Sequence, residues 1–397
     1  MALGDRLRRP RKMLQDTVEI LAKGDESGNH MPIRFKFPSG LEILGLPTEN
    51  FYGGGWDLGP TWNYVVLTES PFLVDTGKHG MGKALLNMMD SVGFSVEALD
   101  SILISHGHED HDGGLFDMAQ RTNAKVKAHV IYDRLIRNYP EHAPADGRKK
   151  FPASCWRCFM PESYTAEYCL DYQRERSELE IQTIGDTDLE MDDGAHVYHV
   201  PGHSPDSLAI VLGDEVIIVG DTILPGITPV PSREAFFKDV KKVLEPDYPS
   251  AQSIYGLTAY ITSLKKLREI GEKFPDLLVL PAHRLFYDGQ WNALNLGARV
   301  NELIQHHILR CADILKILNQ GPKGVGEIAV EHFEERLLKG FGMLLAENEI
   351  ISHCELLIAS GDARSAGDDR YIATGTTNFE STIQSLAPDT PAASRQS

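Results

Sequence analysis

The stretch Ile102-Leu103-Ile104-Ser105-His106-Gly107-His108-Glu109-Asp110-His111-Asp112 sets three imidazoles and Asp110 within six residues. It follows an apolar run, Leu99 to Ile104, that reads as a buried strand. Histidine nitrogen and aspartate oxygen are the donors that hold a hydrolytic divalent metal. In an extended segment, residues two apart point the same way, so His106 and His108 are expected to share one ion. Asp110 and His111 come one turn later, where the chain can bend toward a second ion. Gly113-Gly114 then permits a tight turn before a helix over 113–122.

Three later strand ends supply the same donor types. Val200-Pro201-Gly202-His203 places a histidine on a turn forced by proline and glycine. The strand Glu215 to Val219 ends in Gly220-Asp221-Thr222, and Leu277 to Leu280 ends in Pro281-Ala282-His283. One histidine at a strand tip is ordinarily a polar cap. Seven donor residues at the tips of one strand pattern predict a metal centre. Asp75 closes the apolar strand Phe72-Leu73-Val74, where a buried carboxylate needs a partner. A ligand histidine needs its second ring N–H held, so Asp75 is expected to orient one of them.

The remaining chain frames this centre. A length of 397 residues with 42% hydrophobic content suits a large core with an appendage. The net charge of −18 repels phosphate backbones, so nucleic acid is a poor expected partner. The 5 cysteines form no disulfide pattern, the basic Met1–Lys12 is followed by no apolar segment, and no run suits a membrane span. A cytoplasmic protein without membrane contact is expected, acting on a small molecule; a homo-oligomer is left open.

In chain order, residues 1–30 read as a helix near 13–21 and a polar arm. Residues 31–300 alternate short strands with helices at 80–95, 232–244 and 256–273. The glycine-rich, aromatic 51–62 reads either as a groove-lining loop or as a packed hairpin loop. The polar 132–185 reads as an insert, a candidate lid. Its Cys155, Cys158 and Cys169, with His142, offer a weak structural-metal signal, and free thiols are the preferred reading. Residues 301–378 read as mainly helical, with a turn at 321–326. The serine-, proline- and alanine-rich 379–397 is expected to be disordered.

These residues resemble the metallo-β-lactamase superfamily: HxHxDH at 106–111, PGHS around His203, GDT around Asp221 and PAH ending at His283, in the family's order across 31–300. The resemblance implies an α+β protein, an αββα sandwich with metals at one edge. By resemblance, His106, His108 and His203 hold one ion, Asp110, His111 and His283 the second, and Asp221 bridges them. Histidine rather than glutamate at 108 sets the chain apart from the di-iron flavoprotein branch. Aspartate at 221, where β-lactamases commonly use cysteine, disfavours antibiotic cleavage. The chain is most similar to the glyoxalase II and β-lactamase-like protein 2 group, which implies a winged-helix-like C-terminal domain over 301–378. Its would-be reading helix carries Glu347, Glu349 and Glu355 with no lysine or arginine, so packing against the catalytic domain is expected instead.

Two divalent ions, zinc first and manganese or iron next, imply hydrolysis of a thioester, ester or lactone, an acyl-CoA or acyl-carrier thioester being favoured. Asp110 is the candidate proton carrier. A phosphodiesterase or endoribonuclease is the alternative. Tyr255, Tyr260, Arg284 and Tyr287 flank the last ligand regions and are the candidate substrate contacts.

Overall fold

The computed structural model describes residues 14–51, 57–137, 166–191, 194–340, 342–367 and 370–388, without the side chains of 166–170. The first half builds one sheet. β1 (Val18–Ile20), β2 (Ile33–Lys36), β3 (Glu42–Thr48), β4 (Thr61–Leu67) and β5 (Phe72–Val74) run antiparallel to their neighbours. Next come α1 (Gly82–Ser91), β6 (Ser101–Leu103), α2 (Glu109–Asp112), α3 (Leu115–Arg121), β7 (Lys125–His129), α4 (Val130–Arg137), α5 (Ala166–Ser177) and β8 (Ile181–Ile184). β5 to β8 pair in parallel, in sequence order.

The second sheet has the order β13-β12-β11-β10-β9. It comprises β9 (Leu189–Glu190), β10 (Ala195–His199), β11 (Leu208–Leu212), β12 (Val216–Gly220) and, after α6 (Phe237–Leu244) and α7 (Gly256–Lys273), β13 (Leu278–Pro281). A hairpin of β14 (Phe286–Tyr287) and β15 (Gln290–Trp291) leads to α8 (Leu296–Leu318). There follow β16 (Lys323–Gly324), α9 (Val325–His332), α10 (Gly342–Ala359), β17 (Ala363–Ser365), β18 (Arg370–Ala373) and α11 (Phe379–Ser385).

Side-chain alternation assigns the layers. In β11 to β13, Leu208, Ile210, Val216, Ile218, Leu278 and Leu280 face a core shared with Ile33, Phe35, Ile43, Tyr64 and Phe72 of the first sheet. Their neighbours Ala209, Val211, Ile217, Val219 and Val279 face α7 and α8 instead. On the far side, Leu44, Val65, Leu73 and Ile102 pack under α1, α3 and α4. Strands covered on both faces read as continuous apolar runs, as these do. The result is helix, sheet, sheet, helix.

Three local expectations are corrected. The tail expected to be disordered from 379 begins as α11, because Phe379 and Ile383, four residues apart on one helix face, are buried in the core shared with α7 and α8. Among the described residues the helix expected near 13–21 covers 14–17 and stops there, because Val18–Ile20 pairs as a strand with Ile33–Phe35. The 132–185 insert is not simply a lid. Both of its described ends belong to the fold: α4 packs under the first sheet and β8 pairs with β7. Cys155, Cys158 and His142, the side chain of Cys169 and the tail beyond 388 lie outside the described residues. The C-terminal elements share one continuous core with α7 and the second sheet, from Val200 to Ile383.

Candidate metal centre

Five chain segments reach one edge of the sandwich at strand C-terminal ends: Asp75 after β5, the 105–112 segment after β6, His203 after β10, Asp221 after β12 and His283 after β13. Close packing of these ends dictates glycine at two points. Gly220 lies at φ +49°, where a Cβ would stand 2.9 Å from Ser105 Oγ, and Gly202 at φ +131°, where a Cβ would meet Tyr260 Cα at 2.3 Å.

All seven expected donors converge. His108 Nδ1 stands 3.1 Å from His106 Nε2 and 3.2 Å from His203 Nε2. His283 Nε2 lies 3.2 Å from Asp110 Oδ2 and 3.4 Å from Asp221 Oδ1, while His111 Nε2 lies 3.6 Å from Asp110 Oδ1 and 3.5 Å from Asp221 Oδ2. Asp221 Oδ2 also comes within 3.7 Å of His203 Nε2, so this carboxylate stands between the two groups.

The far ring atoms fix which nitrogen faces inward. Ser105 Oγ donates to Asp75 Oδ2 at 2.7 Å and so has only an acceptor left for His106 Nδ1, 3.0 Å away. His111 Nδ1 donates to Asp75 Oδ2 at 3.0 Å, His203 Nδ1 to Val230 O at 3.0 Å, and His283 Nδ1 to Pro60 O at 3.2 Å. In the neutral ring the opposite nitrogen therefore presents its lone pair inward. Asp75 orients two histidines, His111 directly and His106 through Ser105, and Ser105 N adds a third bond to it at 2.7 Å.

The electrostatics of the two groups differ. Burial depresses His106, His108 and His203, with His108 pushed to about 3, so these rings stay neutral. Burial would also depress His111 and His283, but the Asp110 and Asp221 carboxylates outweigh it and raise both. Against burial of their own, the two carboxylates are held below the usual range by these same histidines.

Such a site fits cations. Three inward lone pairs within 3.2 Å of a neighbour repel unless a positive charge lies between them. With metal–nitrogen bonds of roughly 2.0–2.1 Å, donors around a tetrahedral ion stand roughly 3.3 Å apart. His111 Nε2, His283 Nε2 and Asp221 Oδ1 are buried without hydrogen-bond partners, the mark of atoms awaiting a ligand.

Beside His108 and His203 a cleft opens, lined among others by Tyr132, Leu135, Ile136, Ser232, Phe236 and Tyr255. Tyr255 is thus placed as a candidate substrate contact. Tyr260 is corrected: it is fully buried, its hydroxyl donates to Thr222 O at 2.8 Å, and it packs under Gly202. Arg284 and Tyr287 do not line the cleft. Arg284 donates to Asp57 O at 3.0 Å, its guanidinium lies 4.5 Å from the Tyr287 ring, and the Tyr287 hydroxyl reaches Asp57 Oδ2 at 3.3 Å. Together they steady the loop whose Pro60 carbonyl holds His283.

Sequence reasoning missed Asn50, whose Nδ2 donates to Asp110 Oδ2 at 3.0 Å from 60 residues away. It also missed the role of Asp112, which is fully buried. Asp112 accepts from Tyr132 (2.9 Å), from Arg176 (3.2 Å) and from the Tyr172 hydroxyl. Burial raises its carboxyl even against the Arg176 charge. These bonds anchor α4 and α5 beneath the ligand-bearing segment. The neighbouring Ser105 was at least visible beside the histidines; Asn50 carried no signal.

Residues 56–283, more than half of the chain, match the metallo-beta-lactamase superfamily. The chain belongs to that superfamily, whose members are generally metal-dependent hydrolases using divalent ions. Two solved structures share the fold over most of the chain. A metallo-beta-lactamase family protein from Thermus thermophilus is 22% identical with TM-score 0.57, covering 84% of this chain and 99% of its own. A beta-lactamase domain protein from Burkholderia ambifaria is 20% identical with TM-score 0.60, covering 90% and 97%.

Proposed function

We propose that this chain is a dinuclear metal hydrolase that cleaves a thioester, ester or lactone of a small organic acid. His106, His108 and His203 hold one ion, Asp110, His111 and His283 the other, and Asp221 stands between them; zinc suits this nitrogen and oxygen set, and manganese or iron are the other candidates. What such ions supply when bound is Lewis acidity, which ionises water near neutral pH and polarises a carbonyl oxygen.

The chain's own residues do the rest. Asp110 is held by Asn50 through Oδ2, which leaves Oδ1 as the atom placed to take and pass on a proton. Tyr255, Phe236 and Ile136 present an uncharged wall to the acyl part and exclude water from it.

The observation that carries the choice of substrate is that the described residues lining the cleft offer no available cation. Among its described lining residues the only lysine or arginine is Arg176, which is 2% exposed and hydrogen-bonded to Asp112, Tyr172 and Gln173. A phosphodiester needs accessible cations; an acyl group does not. The C-terminal domain supports the same choice. Its three helices and the β16-β18-β17 sheet are consistent with the winged-helix-like domain of the glyoxalase II and β-lactamase-like protein 2 group. α10, however, buries Ile350, His353, Cys354, Leu356 and Leu357 and carries no lysine or arginine to meet a DNA groove.

Free-thiol release from a panel of acyl-CoAs, with lactones and simple esters alongside, tests the proposal. Turnover that requires added zinc or manganese is the expected result. No turnover of any acyl substrate, with single-stranded RNA cut instead, would establish the nuclease alternative.

A further inference from the structure

Glu355 lies on α10 in the C-terminal part of the chain, yet its carboxylate ends at the cleft wall. Its Oε2 accepts from Glu234 N at 2.9 Å and its Oε1 from Ala235 N at 3.1 Å. The segment it grips carries three features of the site. Val230 O holds His203 Nδ1. Ser232 donates to Gly202 O through both N, at 2.7 Å, and Oγ, at 2.8 Å. Ser232 and Phe236, on either side of the gripped amides, line the cleft. Two adjacent N–H groups at the start of a helical turn, unpaired within the turn, are a natural seat for a carboxylate.

We propose that Glu355 is a positioning residue, through which the C-terminal helix sets the place of Ser232 and Phe236 on the cleft wall and of the Val230 carbonyl behind His203. The proposal rests on the reading that substrate occupies this cleft. It also accounts for an acidic helix that reads no nucleic acid: Glu355 grips the wall, and Glu349 pairs with Arg310 within the domain.

The clamp has a titratable part. Burial pushes Glu355 up to about 7, with the Glu234 carboxylate adding to the rise, while the two N–H groups and Arg233 oppose it. Glu234, itself raised by burial, and Arg233 face it from the gripped segment, and Cys354 is its neighbour on α10. The grip is therefore strongest in the ionised form, above neutral pH.

The test uses the full-length, zinc-loaded protein and the variants Glu355→Gln and Glu355→Ala. Glutamine keeps the size but turns an N–H toward one of the two amides. Backbone amide exchange over 230–237, relative to wild type, is expected to speed up about tenfold at pH 8.5 in Glu355→Gln, and at least as much in Glu355→Ala. At pH 6 the gap between wild type and Glu355→Gln is expected to close, since the wild-type carboxyl is then itself uncharged. A purely packing role would give the same ratio at both pH values. On any acyl substrate that is turned over, KM is expected to rise by about tenfold with kcat changed far less. Exchange unchanged by both variants, or changed equally at pH 6 and 8.5, overturns the proposal. Because exchange needs no turnover, an enzyme that cleaves no acyl substrate would defeat the functional reading without obscuring this result.

Discussion

Replacing Asp75 by asparagine should disarm two ligand histidines at once. Asp75 Oδ1 accepts from Ser105 N, and Oδ2 accepts from both Ser105 Oγ and His111 Nδ1. An asparagine must keep its carbonyl toward Ser105 N, because a backbone N–H cannot move its proton, and facing two donors there costs about 1–3 kcal/mol. Its NH2 then takes the place of Oδ2. His111 Nδ1 can meet that group only as an acceptor, which moves the ring proton to Nε2 and removes the inward lone pair. Ser105 Oγ–H, displaced in the same way, turns to donate to His106 Nδ1, so the ring's own proton moves from Nδ1 to Nε2 and the inward lone pair is lost there too. Loss of an outer-shell partner typically weakens metal binding 10–100-fold, about 1.4–2.7 kcal/mol, and here the loss falls on a ligand of each ion. The backbone tolerates the change, since Asp75 sits at φ +62° and asparagine enters that region readily. Alanine would be the wrong probe: it leaves three buried donors without acceptors, several kcal/mol against a total stability of about 5–15. Titration of metal-stripped Asp75→Asn with zinc against a chromophoric chelator, with circular dichroism as the folding control, measures the effect. A folded variant that binds both ions within about threefold of wild type would refute the tautomer reasoning.

Chelation of the purified protein should lower its thermal midpoint and zinc should restore it, because an ion at about 100 times its Kd contributes about 2.7 kcal/mol per site; a midpoint indifferent to chelator would contradict the centre. Asp112→Asn should destabilise by about 3–5 kcal/mol in denaturant titrations by leaving Arg176 buried without its counter-charge, while metal stoichiometry in the folded fraction stays the same. Tyr255→Ala should raise KM at least severalfold, whereas Tyr260→Phe should cost about 1 kcal/mol of stability and leave KM alone; a KM effect at 260 would reverse the correction. Stability should fall as pH drops from about 6.5 toward 4. Burial, aided at the first by His199 and at the second by Arg310, depresses His129 and His353 to about 4 in the folded chain, while the unfolded chain takes up their protons near 6.5. Each then forfeits about 2 kcal/mol at pH 5 that is present at pH 7, and an unchanged denaturant midpoint between the two would count against it.

What could be read from the chain depended on where the information resides. The seven donors were legible because each is a chemically distinctive side chain at the end of an apolar strand, and strand ends in a two-sheet sandwich meet at an edge. Asp75 was legible for the same reason, but its reach to a second histidine was not, since that passes through a serine hydroxyl. Direction on a helix was harder. Tyr255 caps α7 and Tyr260 lies five residues on, about 140° further round at 100° per residue. Nearness in sequence to the ligand regions suggested a shared role, while helical geometry turned one ring to the cleft and the other under Gly202. The holders of His203 and His283 mark the limit of the method. Both are main-chain carbonyls, at Val230 and Pro60, and every residue has one, so no side-chain identity can announce them. Their positions follow only from the path of the backbone. That path at Val230 is in turn fixed by contacts from Gly202 and Glu355, one beside the site in sequence and the other more than a hundred residues away. A candidate metal centre written in histidines therefore depends, for its aim, on contacts that reveal themselves only once the chain is folded.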